Sequence, residues 1–102
     1  MDTQRPSYVG HDVIDEQRST IGKVTDVLFD PMSDHPKWLV VNPGILQAER
    51  LVPVQGSYDT VAGDIVVPFD RKWVKGAPKA GDHVLTGDIE ARAAQHYDLS
   101  IS

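Results

Sequence analysis

The sequence predicts a mostly β protein: a small antiparallel β-barrel of about five or six strands, with a short C-terminal helix outside it. Residues 19–30 and 38–42 read as two strands joined by a turn rich in proline and aspartate. Short apolar segments separated by turn residues then continue to residue 69. Beyond residue 85 the apolar spacing changes to that of a helix.

The second strand, expected over residues 21–29, indicates a strong bend. The alternation of apolar and polar residues along this strand is broken, because Val24 is at an even-numbered position while Val27 and Phe29 are at odd-numbered positions. A β-bulge near Asp26 would bring all three side chains to one face of the sheet. Strands coiled in this way are what allows a small sheet to close into a barrel.

The other strands follow from short apolar runs between turns, and they are expected at residues 11–15, 38–42, 50–54 and 65–69. Residues 38–42 are apolar on both faces, so this strand should be central or covered. Pro53 cannot donate a hydrogen bond to a neighbouring strand and therefore marks an edge or a strand end. Gly63 is expected at the turn of the hairpin that precedes residue 65.

Two helical segments are expected near the C-terminus. Residues 70–75 form a single helical turn that Gly76 and Pro78 end. Thr86 can cap a second helix. Its residues at i, i+4, i+7 and i+8 form one stripe: Ile89, Ala93, His96 and Tyr97.

The chain is expected to consist of a flexible N-terminal arm (1–8), the barrel (9–80) and a C-terminal helical extension (81–102). A length of 102 residues fits one domain. The predicted core contains Val13, Val24, Val27, Phe29, Val40, Val52, Ile65 and Val67.

Composition excludes several classes of function. The net charge is -5 and the ten Lys and Arg residues are scattered, which disfavours general binding to nucleic acid. The absence of cysteine excludes disulfides, thiolate metal sites and thiol nucleophiles. The N-terminus has no signal-peptide core and no run approaches a membrane span, so we expect a soluble cytoplasmic protein.

No catalytic residue, cofactor or metal site is predicted. A metal site would favour a His-x-His or His-x-x-x-His pair, and the four histidines form neither. Most carboxylates lie in turns, where aspartates bond neighbouring backbone N–H groups. We expect His96 to pack with a ring nitrogen bonded to backbone or water, and to be the most pH-sensitive group.

Instead, the apolar and aromatic residues indicate a surface that binds a protein partner or a second copy. The strand at 38–42 exposes apolar groups on two faces, and one small core covers only one of them. A homodimer is therefore predicted, although core packing is the favoured interpretation for the two tryptophans, and Trp73 is the better candidate for an exposed patch. The candidate interaction residues are Trp38, Leu39, Leu51, Trp73, Ile89 and Tyr97.

The order of these segments resembles the PRC-barrel family, in particular its short stand-alone bacterial members. The resemblance spans roughly residues 9–78, and two departures from the family pattern are the lack of glycine in the turn 16–20 and Gln47 in place of a second glycine. The matching positions are Gly22-Lys23-Val24 with Asp26 and Asp30, Trp38-Leu39-Val40-Val41 with Gly44, Leu51-Val52-Pro53-Val54, Ile65-Val67-Pro68, and Val74-Lys75 with Ala77-Pro78. The resemblance implies a β-barrel that docks onto proteins or protein–RNA assemblies, with no family active site.

The sequence is therefore compatible with two functions from different classes. The favoured one is a non-enzymatic interaction or scaffold module, and the alternative is an RNA- or ribosome-associated factor similar to the ribosome maturation branch of the family. A weaker option is a small ligand or ion in the barrel mouth. The RNA-associated function would be favoured if five basic residues shared one face of the protein: Arg50, Arg71, Lys72, Lys75 and Lys79.

Overall fold

The computed structural model describes residues 8–44 and 46–99. The predicted arm therefore lies outside the described residues except for Tyr8, whose ring packs against the core. Residues 100–102 of the predicted extension also lie outside them. In chain order the elements are β1 (Asp12–Ile14), β2 (Thr20–Phe29), β3 (Pro36–Asn42), β4 (Arg50–Pro53), β5 (Tyr58–Asp59), β6 (Ile65–Val66), α1 (Arg71–Lys75) and α2 (Gly87–His96).

The six strands form one curled sheet in the order β4-β3-β2-β1-β6-β5. The predicted mostly β fold with a short C-terminal helix is confirmed, but the predicted antiparallel barrel is corrected on two counts: the sheet is mixed, and it stays open as a half-barrel. It is mixed because β6 returns parallel to β1, with Val13 opposite Ile65. It stays open because another part of the chain occupies the free edge of β4, where the Leu51 N–H donates to the Pro78 carbonyl (3.3 Å) and the Ala80 N–H to the Glu49 carbonyl (2.9 Å).

The predicted bulge in β2 is confirmed by a shift of the pairing with β3 between Val24 and Asp26. A second shift lies between Leu28 and Phe29. Because of these two irregularities, Leu28 takes a buried position, while Val27 and Phe29 are only half-buried. Val27 nevertheless packs against the core, as predicted, whereas the prediction that Phe29 is buried in the core is wrong; the other six predicted core residues are buried.

Strand β3 is covered on both faces by its own chain. All four of its apolar side chains are buried, with exposures of 1% or less, from Trp38 to Val41. Leu51 and Val66, which were expected to extend an outer apolar face, are buried as well. The homodimer stays a prediction, but the uncovered strand face on which it was based does not exist in this fold.

Both helices begin where predicted and α1 ends at Gly76 as predicted, whereas α2 ends at His96, one residue before the Tyr97 that was expected on its stripe. The Asp70 side chain accepts from the Trp73 N–H at the start of α1, and Gly76 caps its C-terminal end. The Thr86 side chain accepts from the Ile89 N–H at the start of α2. Both caps satisfy backbone donors that have no partner within the helix.

The end of α2 is held on the sheet by Tyr97. Its ring centroid lies 4.5 Å from that of Phe69, 6.2 Å from that of Trp73 and 6.4 Å from that of Trp38. Its hydroxyl donates to the Leu51 carbonyl at 2.6 Å, in the buried interior. Burial raises the pKa of this phenol above its ordinary range. The aromatic cluster thus joins α1, α2 and the sheet into one unit.

Candidate interaction site

The structure divides the six predicted interaction residues into two groups. Four of them lie in the core of the single chain, so their predicted place on an outer surface is corrected: Trp38, Leu39, Leu51 and Tyr97. The physical reason is that α2 docks on the sheet through Tyr97 and covers what was expected to be an open face. Trp73, at 40% exposure, and the half-buried Ile89 remain accessible.

A cleft of about 510 Å³ lies at the N-terminal end of α1, and Trp73 forms part of it. We call it the acidic cleft, defined by Asp15, Glu16, Asp70 and Trp73. Two of its carboxylates already serve the local backbone. Asp15 accepts from two N–H groups in the turn after β1 (2.8 and 2.9 Å), and Asp70 caps α1. The bonds to Asp15 confirm the expected turn-stabilising role of such aspartates.

A larger groove of about 640 Å³ lies at the C-terminal end of α1, between α2 and residues 76–79. We call it the basic groove. Its side chains include the cations of Arg50, Lys79 and Arg92, the His96 ring and the apolar Ile89. No acidic residue lines it among those that the structure describes. In a chain of net charge -5, this groove is a local concentration of positive charge.

Backbone contacts hold the floor of the basic groove in place. One guanidinium nitrogen of Arg50 donates to the Ala77 carbonyl at 2.7 Å. The His96 Nε2 lies 2.7 Å from the Trp73 carbonyl, which confirms the expected bond between that ring and the backbone. A Cβ on Gly76 would lie 3.2 Å from the His96 ring, so glycine is what allows the ring to approach this closely.

The cation of Arg92 is available to a ligand. Its one ion pair within the described residues joins it to Asp88 across one helical turn, at 3.5 Å. Both side chains are largely exposed, at 64% and 81%. A pair of this kind contributes little and rearranges readily.

Of the five basic residues whose shared face would favour RNA, two line the basic groove, and Arg71, Lys72 and Lys75 do not. Arg50 and Lys79 line the basic groove. The Arg71 guanidinium instead donates to the carbonyls of Thr20 (3.3 Å) and Pro43 (2.8 Å), so it is held at the β2–β3 side of α1. Lys72 does not line the groove either.

Sequence reasoning missed a second polar arrangement, centred on His83. Its Nδ1 lies 3.0 Å from a carboxylate oxygen of Asp26, and its Nε2 lies 2.7 Å from one of Glu49. The other Glu49 oxygen accepts from the Thr25 hydroxyl at 2.6 Å. These contacts join residues that are 57 and 34 positions apart in sequence, so no local sequence motif predicts them.

This arrangement ties the C-terminal segment to the bulge of β2. The hydrogen bond to Glu49, and then that to Asp26, raise the pKa of His83. The hydrogen bonds from Thr25 and His83 lower the pKa of Glu49. The carboxylates face opposite ring nitrogens, and no group of described residues converges as metal ligands do.

We expect the contribution of His83 to stability to depend on pH. A raised folded-state pKa stabilises the protein below the ordinary value of 6.5, and the effect disappears as pH rises through the higher folded value. The lowered pKa of Glu49 acts in the opposite sense: its contribution is present above 4.5 and is lost as pH falls through the lower folded value. In urea unfolding, His83→Asn should therefore be more destabilising at about pH 5.5 than at about pH 9.

Asparagine is the replacement because His83 has a positive φ of 64°, a conformation that asparagine tolerates. The matched control is His35→Asn, since His35 is exposed and its side chain makes no hydrogen bond within the described residues. Equal destabilisation by His83→Asn at both pH values would contradict the ionic contribution.

Comparison with known proteins identifies one family. The model of the PRC-barrel domain matches residues 4–74, which includes every strand of the sheet. A search of curated proteins found no match. In residues 8–44 and 46–99, neither helix has the length and apolar character that crossing a bilayer requires.

Proposed function

This chain belongs to the PRC-barrel domain family, and we propose that it is a non-enzymatic interaction module that docks a protein partner at the basic groove. The observation that carries the proposal is the groove itself. It gathers three permanent cations beside an accessible apolar residue, on a chain whose overall charge is negative.

Such a groove fits what protein interfaces need. Arginine is enriched among the residues that contribute most to binding energy. Charge complementarity between partners raises the association rate and selects against partners of the wrong charge. Here Arg50 is fixed by its bond to the Ala77 carbonyl, while Lys79 is exposed and Arg92 is free to adjust.

The proposal that the protein is not an enzyme rests on the hydrogen bonds that its polar side chains make. A general acid or base must face a cleft and be available to a substrate. Asp15 and Asp70 are instead engaged by backbone N–H groups, and the His83 ring lies between two carboxylates. These contacts support a structural role for each.

We propose a different protein, not a second copy, as the partner. The apolar faces that suggested self-association are buried within one chain, and the accessible cations attract a ligand of opposite charge. An RNA partner has less support, because Arg71 is held away from the groove.

The proposal predicts that removal of groove charge abolishes partner capture. Tagged protein would be expressed in its native host, and the proteins that co-purify at low salt would be quantified by mass spectrometry with and without nuclease. The variant Lys79→Gln with Arg92→Gln should lose the partner that the unchanged chain retains after nuclease treatment.

The matched control is Lys23→Gln with Lys72→Gln, which lowers the net charge equally at positions outside the groove. It should keep the partner. Loss of capture in both double variants would indicate a general charge effect and contradict docking at the groove. Loss on nuclease treatment alone would favour the RNA-associated function.

A further inference from the structure

Resting on the proposed function, we infer that the basic groove accommodates a short acidic peptide segment, whose carboxylates pair with Arg50, Lys79 and Arg92 around a central apolar side chain. This names the chemical class of the partner's binding segment. It follows from the charges, the apolar lining and the size of the groove.

The cations come from three different parts of the chain. Arg50 begins β4, Lys79 lies in the segment along the free edge of β4, and Arg92 is on α2. A backbone bridge between Arg50 and Lys79 fixes the spacing of two of them. Cations from separate elements favour a ligand with several separate carboxylates over a single small anion, because each can meet its own partner.

The groove also has an apolar component. Ile89 and Pro78 are both half-buried, and both line the groove. A leucine or similar side chain placed here would lose contact with water and bind favourably. The volume of about 640 Å³ lies within the range of roughly 300–1,000 Å³ that is typical of ligand pockets.

Single-stranded RNA fits this groove less well than an acidic peptide. Proteins that bind single strands combine a long basic track with aromatic rings on which the bases stack. Among the described residues that line the groove, only His96 carries an aromatic ring, and its Nε2 is bonded to the Trp73 carbonyl. The Trp73 ring itself belongs to the acidic cleft, where negative charge would repel phosphates.

The test uses the purified full-length chain and an acetylated, amidated pentapeptide, Asp-Glu-Leu-Asp-Glu. Backbone amide NMR would locate the binding site, and titration would give the affinity. We expect shift changes at Arg50, at residues 76, 77 and 79, and at residues 89–96. Affinity should fall about fivefold to tenfold in Lys79→Gln with Arg92→Gln, the size of change that the loss of two exposed charge pairs produces. It should also fall severalfold between low and molar salt, because screening shortens the range of the charges.

Three further titrations complete the test. The control variant Lys23→Gln with Lys72→Gln should bind the peptide as the unchanged chain does. Inorganic phosphate and an RNA pentamer of uridine should each bind more weakly than the peptide. The inference is overturned by shift changes confined to residues outside the groove, by no binding at millimolar peptide, or by tighter binding of phosphate or RNA.

The inference and the proposed function can fail separately. If the pentapeptide does not bind but groove variants still lose the captured protein, the interaction module stands and the acidic segment is wrong. If the pentapeptide binds in the groove but no protein is captured there, the chemistry of the groove is right and the proposed function falls.

Discussion

Replacing Gly22 with alanine is expected to destabilise the protein by about 3 kcal/mol, at the upper end of the usual cost of overpacking. A Cβ at this position would lie 2.8 Å from the carbonyl carbon of Asn42 and 2.9 Å from the Cα of Pro43. Both are backbone atoms at the end of β3, so the neighbour cannot rotate away as a side chain would. Since small domains have a total stability of about 5–15 kcal/mol, the loss is a large fraction of it.

Urea unfolding followed by tryptophan fluorescence measures this effect, and Gly87→Ala is the matched control. Gly87 begins α2, has no neighbouring atom within 4 Å of an added Cβ, and gains helix propensity from alanine. The control should leave stability unchanged or raise it by up to about 1 kcal/mol. Equal midpoints for the two variants would mean that β2 and β3 do not approach as closely as described.

Replacing Tyr97 with alanine should cost about 3–5 kcal/mol, the typical loss for a large buried aromatic residue. The ring contacts Phe69, Trp73 and Trp38, and its hydroxyl donates to the Leu51 carbonyl. Tyr97→Phe removes only that hydrogen bond and should cost about 1 kcal/mol. Thermal unfolding of both variants separates the contribution of the ring from that of the hydroxyl.

A truncation after Leu85 tests the same contact without changing a side chain. Helix α2 has ten residues and is too short to persist alone, since isolated helices below about 12–15 residues are marginal in water. Its removal should destabilise the chain at least as much as Tyr97→Ala. A truncated chain with an unchanged melting temperature would show that α2 is not docked on the sheet.

Much of the fold could be predicted because its signals are local. The bulge near Asp26 follows from a parity change within ten residues, and the cap at Thr86 follows from a single polar residue before a helix. Gly63 has the positive φ that its turn requires. In each case the residues that decide the structure are neighbours in sequence.

The incorrect predictions concern segments that are distant in sequence but adjacent in the fold. Nothing local to β1 indicates that β6, some fifty residues later, pairs with it in parallel. Strand β3 is apolar on both faces because α2 covers part of it, and the same pattern was interpreted as an interface. Double-sided apolar character indicates burial, but it does not distinguish burial within the chain from burial against a partner.

The candidate site depends even more on tertiary contacts. Arg50, Lys79 and Arg92 are far apart in sequence and look like scattered surface charges. They share a groove only because residues 78–80 lie along the free edge of β4 and α2 packs nearby. Likewise, His83 meets Asp26 and Glu49 only through the fold.

The most direct test of docking at the basic groove is site-specific photo-crosslinking in the native host. A photoreactive phenylalanine analogue would replace Gln95, an exposed residue of the groove, or Val61, a fully exposed residue in the turn between β5 and β6. We predict one discrete protein adduct from position 95 that is absent from position 61 and disappears when Lys79 and Arg92 are changed to glutamine. An adduct from position 61 with none from position 95 would contradict docking at this groove.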